Sequence, residues 1–499
     1  MINRIVILGG GSAGFLAALA IKSKLRGVEV VVIRSKDIGI IGVGEGSTPA
    51  LTRFLHEYVG IIPKKFFEIA QPTWKLGLRF IWGPRPYFNY TFGQGQLAAK
   101  VAGLPKSKAF YCDQEMEYED PLSALMSQDR VFERGPNGRP LFHPNIAYHF
   151  ENEKFVRFLE GYATALGVTI LDDTVTDVER DESGGVAALR LGSSGRREAA
   201  DLFVDASGFA SLLLGRTLKE PFVSFDRSLF CDRAVIGGWD RTTPEDQTIK
   251  PYTTCETMDS GWCWQIEHEG RINRGYVYCS AFISDADAER EFRTKNPKIG
   301  PPRVVKFVSG RYQNLWVNNV VAVGNAGGFV EPLEATALGM IAFQSRTLVD
   351  TLIECDGEVT PSAKRSFNHL HASLWDDIRD FLSVHYRFNT RLDTPFWRHC
   401  RAETDLAGAA GLIETYRENG PTMWLEPTID RSSQFGVPGY LAMLLGQRVE
   451  HRPLRAPTAE ETRTWEAERQ RYRKMAMSGL SVRETLAAIR SPKWEWRNG

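Results

Sequence analysis

The segment 2-INRIVILGGGSAGFLAALA-20 decides the fold. Residues 2–8 are an apolar run of strand length, and Gly9-x-Gly11-x-x-Gly14 follows directly. A small-residue helix, FLAALAIKSKL, comes next, and then a second apolar strand, 28-VEVVVIR-34. Strand, glycine turn, helix and strand within about 35 residues form the βαβ unit that binds a dinucleotide. The glycines let the backbone approach a pyrophosphate, which sits on the free N–H groups of the helix N-terminus. Gly9, Gly11, Ser12, Ala13 and Gly14 are therefore candidate cofactor-binding residues. Arg34 closes the second strand, where an acid for a ribose hydroxyl is usual. An arginine there suits a 2′-phosphate, so NADP is an alternative at this point.

Two later segments argue for a different cofactor. In 201-DLFVDASGFAS-211 and 319-NVVAVGNAGGF-329, an apolar strand again runs into small residues. Asp205, Gly324 and Asn325 stand at those strand ends and join the cofactor-binding candidates. Three such ends, so far apart in the chain, point to one discontinuous FAD-type domain carrying insertions rather than to a compact NAD domain. Residues 222–283 alternate as β segments, for example 262-WCWQIEHE-269 and 275-GYVYCSAFI-283, and predict an antiparallel sheet beside the nucleotide fold. From about residue 360 the pattern is helical, with capping-box candidates at Thr458-x-x-Glu461 and Ser481-x-x-Glu484.

The bulk composition excludes several classes. At 499 residues the chain is long for one core, so two or three domains are expected. Sixty-one basic residues balance sixty-one acidic ones, which gives no charge excess for nucleic acid or an anionic membrane. Seven scattered cysteines without a C-x-x-C pair read as reduced thiols of a cytoplasmic protein. No metal set emerges: His369 and His371, two apart, fall on different faces of a helix. MINRIVILGGG is too short an apolar run for a signal peptide, and no run of about 18 apolar residues predicts a membrane span.

At this point the chain resembles the flavin-dependent halogenases of the tryptophan-halogenase type. The resemblance runs from residue 5 to about residue 400. Besides the glycine turn it is carried by 39-GIIGVGEGSTPAL-51, 73-TWKLGLRF-80, 147-AYHFENEKFVRFL-159, 203-FVDASGF-209, 262-WCW-264, 324-GNAGGFVEPLEATAL-338 and 385-HYRFNTRLDTPFW-397. The segments holding Lys75, VEPLEATAL and DTPFW are the narrow signals. The resemblance implies an α/β protein with an FAD-binding βαβ core of the glutathione-reductase/aromatic-hydroxylase kind. The expected layout is a discontinuous FAD module (1–100, 145–221, 300–355), inserted sheet and substrate-side segments (101–144, 222–299) and a mainly helical substrate region (356–499).

It also implies an activity. A separate NAD(P)H-dependent reductase supplies FADH2, oxygen gives a flavin hydroperoxide, and a halide ion (bromide or chloride) is oxidised to hypohalous acid. That oxidant then halogenates an electron-rich, indole-like aromatic at one carbon. The protein itself is expected to be a monomer or homodimer.

Residue by residue, Lys75 matches the catalytic lysine, which either donates a hydrogen bond to hypohalous acid or forms a haloamine. Glu334 matches the catalytic glutamate, which stabilises the cationic ring and takes its proton. A capping role for a helix starting near Ala335 is a second reading of Glu334, and Glu331 reads as a structural hydrogen-bonding acid. Thr336 and Ala337 match the halide cradle, with alanine where many members have glycine. That departure raises bromide, the more easily oxidised ion, over chloride. Gly42, Gly44 and Ser47 lie in a loop like the strap over the flavin. Trp262 and Trp264 match W-x-W-x-I-P, with Glu267 replacing the proline. Aromatic substrate walls are expected from His385 and Phe396, and Tyr440 lies in 438-PGYLAMLLGQ-447. No acid that would hold an amino-acid head group is found in that segment, which favours a simpler indole over free tryptophan. The competing readings are a flavin monooxygenase hydroxylating an aromatic, and a flavin-binding scaffold without turnover.

Overall fold

The computed structural model describes residues 2–39, 44–93, 97–430 and 432–496; Gly42 lies outside them. Its first sheet runs Thr169–Asp172, Glu29–Arg34, Arg4–Leu8, Leu202–Asp205, Val320–Ala322, Trp316–Val317. The first five strands are parallel, and the last turns back antiparallel. Ile5 pairs with Leu202 and Phe203 with Val320, so segments some 200 and 120 positions apart lie side by side. The helix Ser12–Lys24 is buried on nearly all sides from Ser12 to Ile21. It packs against the helices Asn152–Ala165 and Ala337–Glu354. An all-apolar helix has no solvent face to offer and belongs in the middle of a layer.

A seven-stranded sheet stands beside this one, in the order Arg303–Lys306, Arg233–Asp240, Arg271–Tyr278, Gly261–Glu267, Thr253–Met258, Gly77–Ile81, Phe88–Thr91. All its pairs are antiparallel except Thr253–Met258 with Gly77–Ile81. Residues 77–91 thus hydrogen-bond into the inserted sheet, although they fall in the segment expected to belong to the FAD module. A small three-stranded sheet, Glu45–Gly46, Ala147–Phe150, Thr73–Lys75, links the two bodies. The C-terminal part is helical, and both capping boxes form, at Thr458/Glu461 and Ser481/Glu484. No helix among the described residues is long and apolar enough to cross a membrane.

Glu267, which stands where the related signature has proline, has a partner the sequence does not reveal. Its carboxylate is paired with the Arg241 guanidinium, both side chains are buried, and Gln265 Nε2 donates to Oε1 at 2.6 Å. Removing one member of a buried ion pair strands the other charge without water. Glu267→Ala is expected to lower stability by about 3–5 kcal/mol, and Arg241→Met combined with Glu267→Leu to recover most of it. Denaturant titration of the three proteins checks this.

Candidate functional site

The nucleotide end is built by strand geometry. The three strands ending at Leu8, Asp205 and Ala322 are neighbours in one parallel sheet, so their glycine turns meet at its carboxyl edge. In open α/β sheets this crevice is where ligands bind. Gly9 donates its N–H to Ile33 O at 2.9 Å, and a Cβ on it would stand 2.1 Å from the Ala206 carbonyl oxygen. A Cβ on Gly324 would meet Ala13 Cβ at 2.9 Å, so that turn closes on the first helix. Gly11, by contrast, faces open space. Close packing behind and an open backbone in front fit a dinucleotide pyrophosphate at Gly11, Ser12 and Ala13.

Two candidates here are engaged by other groups of the protein. The Asp205 carboxylate is fully buried and accepts from the N–H groups of Ser207, Leu213 and Leu214 and from Ser207 Oγ, at 2.6–3.1 Å. Arg34 donates from Nη2 to Glu160 Oε1 at 2.5 Å. A 2′-phosphate would have to displace that carboxylate, which counts against the NADP alternative. The strap loop is pinned at Ser47, whose Oγ accepts from Tyr148 N at 2.9 Å and donates to Tyr148 O at 3.1 Å. Gly44 lies against His268, whose Nε2 would be 2.4 Å from a Cβ there.

The chemical end lies where the three small strands, the Thr253–Met258 strand and the 333–337 turn converge. Lys75 is the last residue of its strand and is fully buried, and its Nζ has no hydrogen-bond partner among the described residues. It stands 5.3 Å from the centre of the Phe92 ring, a cation–π contact. A Cβ on Gly46 would lie 3.2 Å from Lys75 Nζ, 3.3 Å from Thr253 Oγ1 and 3.5 Å from Ala335 Cβ. The strap therefore abuts the amine, and the amine abuts the turn that carries Glu334. Burial pulls the Lys75 ammonium down to about 8, opposed by the neighbouring Cys255 and Glu334.

Glu334 is 2 % exposed and has φ +70, and Ala335 follows with φ +54. Two successive left-handed non-glycine residues are costly and survive only where their surroundings fix them. The turn aims the Glu334 carboxylate at His385, with Nε2 and Oε1 2.8 Å apart. The helix beyond it starts at Ala337, not near Ala335, and no side chain caps it. The capping reading of Glu334 fails for that reason. Ala337 is a helical residue outside the positive-φ set, so alanine in place of glycine costs no backbone strain.

Glu331 accepts from Trp262 Nε1 at 2.9 Å and from Tyr386 OH at 2.5 Å, and burial raises its carboxyl to about 7. It is thus a hydrogen-bonding acid that ties the inserted sheet to the long helix Pro361–Phe388. Trp264 lies 6.0 Å from the Trp262 ring and rests over Gly275, whose missing side chain makes room for the indole. Phe396 is fully buried among Tyr386, Trp397 and Phe282. Those rings form one aromatic layer with Phe396 at its centre. A surface cleft of about 750 Å³, lined by Glu256, Asp259, Arg290 and Arg391 among others, includes neither Lys75 nor Glu334.

The sequence names His385 but does not reveal the line of side chains it belongs to. Asp377, Phe381 and His385 recur every four residues on one helix and so fall on one face. Phe381 stacks on Phe435 at 3.8 Å and meets Tyr90, Tyr440 and His385 edge-on or tilted. Burial raises Asp377 to about 6; burial first, and the fields of nearby carboxylates including Asp377 second, push the Tyr90 and Tyr440 phenols up. An acid thus faces Tyr440 from another element, and only the four-residue spacing hints at it.

The comparisons agree with this geometry. A family model described as tryptophan halogenase matches residues 4–460. Tryptophan 7-halogenase RebH of Lentzea aerocolonigenes is 32% identical over 452 residues, covering 83% of this chain and 82% of its own. The crystal structure of MibH, a lanthipeptide tryptophan 5-halogenase, superposes with a TM-score of 0.88 at 38% identity, covering 98% of this chain and 93% of its own. BrvH, a flavin-dependent halogenase from Brevundimonas sp. BAL3, gives 0.85 at 26% identity, covering 98% of this chain and 99% of its own. With a dinucleotide crevice at one end, a buried lysine and glutamate at the other, and these likenesses along its length, the chain belongs to the tryptophan halogenase family, enzymes that halogenate an aromatic substrate with a flavin.

Proposed function

We propose that the chain halogenates an indole held beside Glu334, with Lys75 presenting the oxidant and Glu334 taking the ring proton. The observation that carries this reading is the burial of a Lys75 amine that has no hydrogen-bond partner among the described residues, beside the Glu334–Ala335 turn. Reduced FAD, supplied by a separate reductase, would generate hypohalous acid from oxygen and halide. The turns at Gly9–Gly14, Asp205–Gly208 and Gly324–Asn325 would hold that cofactor. The amides of Thr336 and Ala337, at a helix start that no side chain caps among the described residues, would hold halide. Lys75 polarises the oxidant as an ammonium or carries the halogen as an amine; an ammonium held near 8 makes both forms accessible close to neutrality. Electrophilic attack leaves a ring cation, and the Glu334 carboxylate stabilises it and accepts its proton.

Asp377 lies about 12 Å along the helix from His385, eight residues at 1.5 Å each, which suits an ammonium on the far side of the ring. RebH and MibH are named for tryptophan. We therefore place tryptophan, free or within a peptide, beside simple indole as the substrate. A panel of indole, tryptophan and a tryptophan peptide, with FADH2, oxygen and either bromide or chloride, tests the reading. Bromine- or chlorine-labelled product supports it, whereas one added oxygen supports the hydroxylase and no turnover the scaffold. In the same panel, Asp377→Asn is expected to raise KM for tryptophan about tenfold and leave KM for indole unchanged. Equal effects on both substrates would remove Asp377 from recognition.

A further inference from the structure

His385 is fully buried, and both its ring nitrogens are committed. Nδ1 faces the Phe381 carbonyl oxygen at 2.9 Å and Nε2 faces Glu334 Oε1 at 2.8 Å. A carbonyl oxygen only accepts, so Nδ1 must carry a hydrogen. That fixes the tautomer. A neutral His385 then turns the bare lone pair of Nε2 toward a carboxylate oxygen. Two acceptors at 2.8 Å repel unless a proton lies between them.

The ring cannot swing away. Phe80, Trp82 and Phe381 surround it with centroids 5.0–6.4 Å off, and Trp82 Nε1 fixes the helix backbone by donating to His385 O at 2.9 Å. The charged and titratable groups facing the pair are Lys75, Cys255 and Tyr90, from three other strands.

We propose that His385 is the positioning residue for Glu334, sharing one proton with Oε1 so that Oε2 is left as the oxygen that receives the ring proton. This rests on the halogenase reading above. When the carbon–halogen bond has formed, the C–H bond of the same carbon breaks. Its electron pair restores the aromatic ring, and the proton forms an O–H bond at Oε2. His385 touches neither substrate nor oxidant in this scheme. It holds one carboxylate oxygen so that the other is presented, and misorientation of a reacting group commonly costs on the order of 100-fold in rate.

The test uses two substitutions and an independent measurement. His385→Leu removes the donor and is expected to lower kcat about 100-fold with little change in KM. It should also bring out a primary deuterium isotope effect at the halogenated carbon, because loss of the ring proton becomes rate-limiting. His385→Gln, whose amide still donates to Oε1, should recover at least tenfold of that loss. Unchanged kcat in His385→Leu would overturn the proposal, as would slowing without an isotope effect or a His385→Gln no faster than the leucine variant. In flavin-free protein, ¹⁵N NMR of histidine is expected to show Nε2 protonated in the wild type and pyridine-like in Glu334→Gln, whose amide donates instead. Identical Nε2 signals in the two proteins would also overturn it. A wild type that halogenates nothing would refute the proposed function while leaving the NMR result to judge the shared proton.

Discussion

Replacing Lys75 by methionine is expected to abolish aromatic halogenation, a loss of at least 1000-fold, while the protein becomes more stable. Both halves follow from one fact, the full burial of an amine without a hydrogen-bond partner among the described residues. A desolvated cation is costly to the fold, and methionine fills similar volume at no such cost. The expected gain is about 2 kcal/mol in the flavin-free protein. The pH dependence has a definite sign. The folded protein holds Lys75 near 8, against an ordinary 10.5, so between those values the unfolded chain binds the extra proton. Stability from this group therefore rises with pH across that window, and the rise is missing in the variant. Thermal melts from pH 7 to 10.5, beside FADH2 consumption and product mass, check both halves. Halogenated product from Lys75→Met at more than one-hundredth of the wild-type rate would remove the lysine from the chemistry.

The second large effect is expected from Glu334→Gln. The amide keeps the shape of the side chain and a hydrogen bond to His385 but cannot take a proton. The aromatic step should slow by about 100- to 1000-fold, with flavin binding unchanged. Folding should survive, because no helix cap depends on this carboxylate and its bond to His385 Nε2 is replaced rather than lost. Single-turnover product formation and flavin titration separate the two expectations. A variant that fails to fold would mean that the positive-φ turn at 334–335 depends on the charge.

What could be read from the sequence was what is local. Gly9, Gly11 and Gly14 announce their turn because strand, turn and helix lie within one short stretch, and the capping boxes at Thr458 and Ser481 are legible for the same reason. Lys75 and Glu334 stood out only through the motifs around them. Neither burial nor convergence follows from their positions, since a strand residue and a turn residue some 260 positions apart meet only through tertiary packing. The pairing of Gly77–Ile81 with Thr253–Met258 is non-local register, which no turn signal announces. The partner of Glu267, Arg241, lies just past the end of a strand two places away in the sheet, and a lone arginine in a sequence gives no sign of it. His385 was read from its motif, whereas Asp377 and Phe381, which precede it at four-residue steps, were legible only in principle. That spacing fits ordinary helix packing equally well, and the helix's depth in the fold decides between the two.

The order of strands in the nucleotide sheet also bears on how the protein comes into being. Arg4–Leu8 waits for Leu202–Asp205, and that strand waits for Val320–Ala322. During synthesis the first glycine turn leaves the ribosome with only one neighbouring strand, and the crevice it helps to form is completed some 300 residues later. Closing such wide loops is slow, and it leaves apolar strand edges bare in the interval. Nascent chains stopped before residue 320 are therefore the ones that chaperones should hold longest, and overproduction at low temperature, where elongation and collapse are both slowed, should give the larger soluble yield.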